Sequence, residues 1–380
     1  MKLLQILDFY PAYLTNLHQR FPDLKNQSFA QQRAAIFKDG FYGNHLFAPY
    51  LQAFGYDTQF VIVNDPYSQK KWMEENHFRT DNLDLTDVKD MYYVAHQQIL
   101  AFQPDILLIS NPIIFDSNFI RFITHQPKFV IGWRAAHIGP AVDWTEFDLI
   151  LSNVNELLET ALLRGARHVA KFHPGFPNII FEQIKKIPDL TKKRDVSFAG
   201  QITTQHLKRH EHLKEMGKWP LGLDGEFSID YFIGSFFDSQ YKTNYSIDIA
   251  VSIFMYDHGG LWGMEMYQML AESRICFNDL IDLAEGQSGN MRLFETTGVG
   301  SFLLTEWTQD LGNFFELGKE IESYKSIPEL KEKVYYYLNH PEEREQIAKN
   351  GQARCLRDYS MEKRTEELGL ILDELIQIKI

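Results

Sequence analysis

The segment GQSGNMRLFETTGVGSFLLTE, residues 286–306, holds the densest set of side chains able to do chemistry. Polar, glycine-containing GQSGN leads into a short helix expected over residues 291–297. Gly298 and Gly300 end it, and SFLLTE returns as a buried strand. A helix N-terminus presents unpaired N–H groups and a partial positive charge, so residues 288–291, with Asn290 and Met291, form a cradle for an anion. Arg292, in the first turn, opposes the helix dipole unless an anion pairs with it. Together these features favour a diphosphate. Glu295 lies three residues further on and shares a helix face with Arg292. A carboxylate there can accept both hydroxyls of a ribose. The same spacing also suits a plain Arg–Glu pair on a solvated helix. His206 and His210 have i, i+4 spacing near His212, but no HExxH arrangement or convergent third ligand accompanies them, so no metal site is expected.

These residues need a frame. In the first half, β-rich runs at residues 3–7, 58–63, 105–109, 129–132, 149–152 and 168–172 alternate with helical patterns at 28–37, 44–54, 87–102, 116–124 and 153–163. That alternation predicts βαβ units and a largely parallel sheet. Ser152 or Asn153 is the expected cap of the last of these helices, and Gly165 its stop. HPGFPN and the charged IKKIPDLTKKRD then interrupt the pattern. It restarts at DVSFAG, read as the first strand and turn of a second Rossmann-like domain. Further strands are expected at 196–199, 274–278 and 301–305, with a helix at 263–271. The aromatic-rich stretch 226–262, with Phe232, Phe236, Phe237 and Trp262, reads mainly as core. From Pro328 onward the pattern is helical, and Leu368, Ile371, Leu372, Leu375 and Ile378 give the last helix an apolar face. The expected layout is an α/β chain of two doubly wound Rossmann-like domains. Residues 1–178 form the first, 179–193 a linker, 194–357 the second, and 358–380 a helix that packs back on the first.

Composition narrows the function. The chain has 380 residues, with 38 Lys and Arg against 51 Asp and Glu, a net charge of −13. A pI near 5.5 argues against a broad nucleic-acid footprint or a polybasic hold on lipid. Two cysteines, Cys276 and Cys355, form no CxxC pair and fit a reducing cytoplasm. No window approaches a membrane span, and MKLLQIL reads as a strand because Asp8 and Pro11 interrupt it.

NMRLFETTGVGSFLLTEW, with GKEIESYKS and YYYLNHPEEREQIAKNGQ, resembles the donor-domain signature of GT-B glycosyltransferases, close to the CgeB-like group of glycosyltransferase family 1 proteins. The likeness extends back through LWGMEMYQMLAESRICFN and DVSFAGQI, and loosely to ILDFYPAYL and FVIGWRAAHIGP. It implies a GT-B fold and transfer of a sugar from a nucleotide-diphosphate donor, held by the second domain, to an acceptor on the first. It implies no cofactor and no metal, the helix dipole and basic side chains stabilising the leaving diphosphate. On matching positions, Glu295 holds the ribose, Asn290 and Arg292 sit by the diphosphate, and Gly200 with Gln201 bring backbone close to phosphate. Arg209, or Lys208, is the further cation. Counting eight positions back from Glu295 gives Gln287, where many retaining enzymes have a carboxylate, so the stereochemical outcome does not transfer.

An inverting transfer needs a general base at a strand end of the first domain. His137, in RAAHIGP, is the preferred candidate because loops after strands face the cleft. His45 and Asp8 are the others. Tyr10, Tyr13, Phe41 and Tyr42 lie near the same ends, where aromatic faces suit a pyranose or the core. A soluble glycan, a small molecule or a protein-borne acceptor is expected, with no nucleic acid and no membrane insertion. The alternatives are a non-catalytic nucleotide-sugar-binding protein and a nucleotide-sugar epimerase of the same fold.

Overall fold

The computed structural model describes residues 1–80, 83–203, 205–219, 227–236, 247–284 and 286–379. The chain divides into two compact units, Met1–Pro174 with Met361–Ile380, and Gly175–Ser360.

The first unit is built on β1 (Lys2–Leu7), β2 (Asp57–Ile62), β3 (Ile106–Ile109), β4 (Phe129–Trp133), β5 (Leu149–Ser152) and β6 (His168–Lys171). They form a six-stranded sheet in the order β2-β1-β3-β4-β5-β6, every pairing parallel. All four residues of β3 are buried, which fits a strand covered on both faces. Helices α1 (Pro11–Arg20), α2 (Phe29–Asp39), α3 (Ala48–Leu51), α4 (Pro66–Glu75), α5 (Val88–Phe102), α6 (Ser117–Phe122) and α7 (Asn155–Leu163) connect the strands.

Two expectations fail here for identifiable reasons. The helix expected over residues 44–54 is broken into a 3₁₀ turn, Gly43–His45, followed by α3. The fully buried Gln5 of β1 causes the break. Its Oε1 accepts from the backbone N–H of Phe47 at 2.9 Å and of Ala48 at 3.0 Å, and its Nε2 donates to the His45 carbonyl at 2.6 Å. Helix α7 is capped by neither Ser152 nor Asn153. Its N-cap is Val154, whose own N–H donates to Ser152 Oγ at 3.1 Å, so Ser152 stays in β5. The C-terminal helix Met361–Lys379 packs on α3 within this unit, burying Leu368, Leu372 and Leu375 while Ile378 is exposed.

The second unit contains β7 (Arg194–Ile202), β8 (Ile229–Phe236), β9 (Ser273–Asn278), β10 (Phe302–Glu306) and β11 (Glu322–Tyr324). This five-stranded parallel sheet has the order β11-β10-β9-β7-β8. Neighbouring strand residues alternate between two buried clusters: Ala199, Cys276 and Leu303 join one, and Phe198, Phe277 and Phe302 the other. Helices α8 (Asn178–Ile184), α9 (Leu207–Met216), α10 (Ile247–Phe254), α11 (Gly263–Ala271), α12 (Met291–Gly298), α13 (Ile327–Asn339) and α14 (Pro341–Asp358) cover the faces. The expected linker 179–193 is thus partly helical. Ile180 and Ile184 of α8 are buried in the first cluster, so this stretch belongs to the second unit's core. Phe232 is core and Trp262 packs over Gly234, while Phe237 lies outside the described residues.

Both thiols are buried, Cys276 pushed up to about 11 and Cys355 to about 12 by desolvation, which leaves them unreactive at neutral pH. Among the described residues, no helix is long and apolar enough to cross a membrane.

Candidate functional site

Carboxyl ends of parallel strands and the helices that follow them are where such sheets bind ligands. In the second unit, β9 ends at Asn278 and α12 begins after Asn290. The two amides are joined: Asn290 Nδ2 donates to Asn278 Oδ1 at 2.9 Å, and Asn278 Nδ2 donates to Thr305 Oγ1 of β10 at 2.8 Å. Because its side chain is turned to Asn278, Asn290 makes no cap bond, and the N-terminus at Met291 is left without a side-chain acceptor. The N-terminus of α9, at the same end of the sheet, is filled. Asp282 accepts from the N–H groups of Leu207, at 2.7 Å, and Lys208, at 3.4 Å, so α9 already has its anion. Helix α12, in contrast to α9, has no side-chain cap, so its first N–H groups can turn to a ligand anion.

Arg292 and Glu295 form the pair the spacing allowed, but not on a solvated face. Their side chains are 13% and 6% exposed and 2.9 Å apart. Arg292 Nη2 also donates to the Ala199 carbonyl of β7 at 3.0 Å, which ties α12 to that strand. Burial raises the Glu295 carboxyl above its ordinary value, against Arg292 and the Tyr267 hydroxyl, which lower it. A carboxylate has about four lone-pair sites, so these two donors leave acceptor capacity for hydroxyls.

Gly200 and Gln201 do not form a turn. Both lie inside β7, which runs on to Ile202 through a register shift between Gly200 and Ile202. A Cβ on Gly200 would come 2.7 Å from the Phe198 ring, so packing alone accounts for this glycine. The Gln201 carbonyl is held by Arg209 Nη1 at 2.8 Å, and Arg209 Nη2 holds the Asp279 carbonyl at 2.6 Å. Arg209 thereby joins the ends of β7 and β9. Burial lowers this guanidinium to about 10, with Asp279 opposing and the charge of Arg292 adding to the shift. Arg209 thus lies close enough to Arg292 to feel its charge, and two guanidiniums near an uncapped helix N-terminus suit an anionic ligand. Lys208, in contrast, is ion-paired with Glu306. Sequence reasoning missed Tyr267 and Asn278, and also Asp279, which pairs with His212 at 2.6 Å. Their signal is position alone, since Asn278 and Asp279 end and follow a strand. His206 is turned to Thr203 Oγ1, at 2.7 Å.

The first unit has its own set at the carboxyl ends of β1, β3 and β4. Asp8 Oδ2 accepts from Asn111 Nδ2 at 2.9 Å. Burial raises the Asp8 carboxyl, while Asn111 and Arg134 pull it down. His45 is buried, stacked on Tyr42 and edge-on to Trp133, and desolvation lowers its imidazole to about 3. A group that weakly basic is a poor proton acceptor at neutral pH. His137 is exposed, and its carbonyl, not its ring, is the group that Arg134 Nη2 holds at 2.7 Å. The structure therefore brings Asp8, Asn111 and Arg134 together and leaves His137 at the surface.

Residues 230–369 match the family described as glycosyl transferase-like. No curated protein sequence matches the chain. Among solved structures, HepE from Anabaena in complex with UDP-glucose is similar at 12% identity and a TM-score of 0.58, over 98% of this chain and 100% of that one. A glycosyltransferase from Rickettsia africae is similar at 10% identity and a TM-score of 0.56, over 99% and 98% of the two chains. Sucrose-phosphate synthase from Thermosynechococcus elongatus is similar at 9% identity and 0.54, over all of both chains. At such identities the likeness establishes the fold. The chain has the GT-B fold of these structures, and its residues 230–369 are similar to the glycosyl transferase-like family.

Proposed function

We propose that the chain transfers a sugar from a nucleotide-diphosphate donor to an acceptor hydroxyl, the second unit holding the donor and the first the acceptor. One observation carries this reading: the uncapped N-terminus of α12, with the guanidinium of Arg292 in its first turn and that of Arg209 close enough to feel its charge. In this reading the diphosphate takes the N–H groups of Met291 and Arg292, and Glu295 accepts from the ribose. As the bond to the anomeric carbon breaks, negative charge grows on the leaving phosphate. Fixed helix N–H groups and guanidiniums stabilise it without reorganising, so the mechanism we propose needs no metal. HepE is described with UDP-glucose, which supports UDP-sugars as the first donors to test.

The test is release of nucleoside diphosphate from a panel of UDP-, GDP- and dTDP-sugars, with chelator present. Slow turnover of one donor supports transfer. Binding of a donor without turnover under any acceptor points to a non-catalytic binding protein, and an epimerised sugar formed without acceptor points to an epimerase.

A further inference from the structure

The polar trio of the first unit lies beside an aromatic wall. Asp8 follows β1 by one residue, Arg134 follows β4 by one, and Asn111 follows β3 by two, so all three stand at one end of adjacent strands. Tyr10 is 46% exposed, and its ring is 6.0 Å from that of Phe41, which is 6.1 Å from that of Tyr42. Phe41 is held from below by the fully buried Tyr13, stacked at 3.7 Å. Tyr42 has a φ of 58°, left-handed backbone that costs a bulky residue about 1–3 kcal/mol and is retained where a site needs it. Arg134 donates through Nε and Nη2 to the carbonyls of its own loop, and among the described residues its Nη1 makes no hydrogen bond.

We propose that this end of the sheet binds the acceptor, and that the acceptor is an uncharged saccharide. The proposal rests on the transferase reading above and narrows it. The carboxylate of Asp8 and the guanidinium of Arg134 cancel in charge and supply acceptors and donors at adjacent positions, as vicinal hydroxyls require. The exposed ring of Tyr10 and its neighbours suits the apolar C–H face of a sugar ring. The charge of Asp8 already offsets that of Arg134, so no net positive charge is left to hold an anionic acceptor. A peptide bearing the acceptor hydroxyl would engage chain on either side of it, and this set is confined to three polar groups and one wall.

The experiment is saturation-transfer NMR on the full chain with methyl glycosides of hexoses, pentoses and N-acetylhexosamines, alongside glucose 6-phosphate and a serine-containing hexapeptide. UDP affinity is measured in parallel. Saturable binding of a neutral glycoside is expected, weakened about tenfold in both Asp8→Asn and Tyr10→Ala. UDP affinity and melting temperature should stay unchanged in these variants, which separates loss of the site from loss of the fold. Preference for the phosphate or the peptide, or glycoside binding indifferent to both substitutions, overturns the proposal. UDP binding with no glycoside binding overturns it and leaves the transferase reading standing. Glycoside binding with no nucleotide binding keeps the saccharide site and overturns the transferase reading.

Discussion

The guanidinium of Arg292 stands 2.9 Å from the carboxylate of Glu295 one helical turn away, and almost none of either side chain reaches solvent. Arg292 also holds the Ala199 carbonyl, so the pair fastens the first turn of α12 to the end of β7. One interaction thus has two duties, a structural tie and a place beside the uncapped helix N-terminus. A buried pair is costly to break from one side, because the remaining charge is left uncompensated.

Glu295→Ala should therefore lower stability by about 3 kcal/mol as well as weaken nucleotide binding. Replacing both partners separates the effects. Arg292→Met with Glu295→Leu should recover most of the lost stability, since no buried charge remains, while UDP affinity stays at least tenfold down. Urea unfolding and calorimetric UDP titration measure the two quantities. Wild-type UDP affinity in the stable double variant would remove both residues from the donor site.

How far the sequence exposes this arrangement varies with the physics of each element. Continuous apolar runs such as ILLI are unmistakable as buried parallel strands, and α11 was legible at both ends because glycine opens it and its apolar spacing persists to Ala271. Helix α1 was not legible, since Pro11 suggests a break, although proline is well tolerated in a first helical turn. Strand β8, IDYFIGSF, hid within an aromatic-rich stretch that read as core, although the turn-forming pair Asp224 and Gly225 stands in the sequence just before it. The Arg292–Glu295 pair follows from i, i+3 spacing, but its burial depends on α11 and β7, which spacing does not reveal. Loop position favours His137, but a loop places a residue near a sheet end without deciding where its ring goes. The Asp8–Asn111 bond joins residues 103 apart in sequence, and no local pattern encodes it.

His45 should leave a signature in acid. Its folded imidazole lies at about 3 against an ordinary 6.5, so the unfolded chain binds the proton first as pH falls. The contribution is present above about 6.5 and is lost progressively down to about 3, at roughly 1.4 kcal/mol per pH unit. His206 is lowered to about 3 in the same way, so the test is a difference between proteins. His45→Phe, which keeps the ring between Tyr42 and Trp133, should show a shallower fall of melting temperature from pH 6.5 to 3 than the wild type. Parallel curves would contradict the buried neutral imidazole.

Gly298 closes α12 against Phe176, where an added Cβ would stand 2.3 Å from the ring. Phe176 is itself fully buried and its N–H donates to the Tyr359 carbonyl at 2.7 Å, so it has little room to retreat. Alanine is the better helix former, yet here overpacking should dominate and Gly298→Ala should cost about 1–3 kcal/mol. Chemical unfolding decides the sign, and a stabilised variant would mean that propensity outweighs the contact.

Asn290→Asp offers the most direct test of the anion site. A carboxylate at this position sits at the N-terminus of α12, where aspartate is a favoured cap and its charge complements the dipole. The variant should gain about 0.5–1 kcal/mol of stability. The same charge competes with a ligand anion for the N–H groups of the first turn and for Arg292, so UDP affinity should fall about tenfold. Uridine, which carries no phosphate, controls for damage elsewhere: its weaker binding should be unaffected. Stability and affinity moving in opposite directions identifies competition for one electrostatic site. Loss of uridine binding together with UDP would instead indicate that the Asn278–Asn290 amide pair positions the nucleoside end of the site.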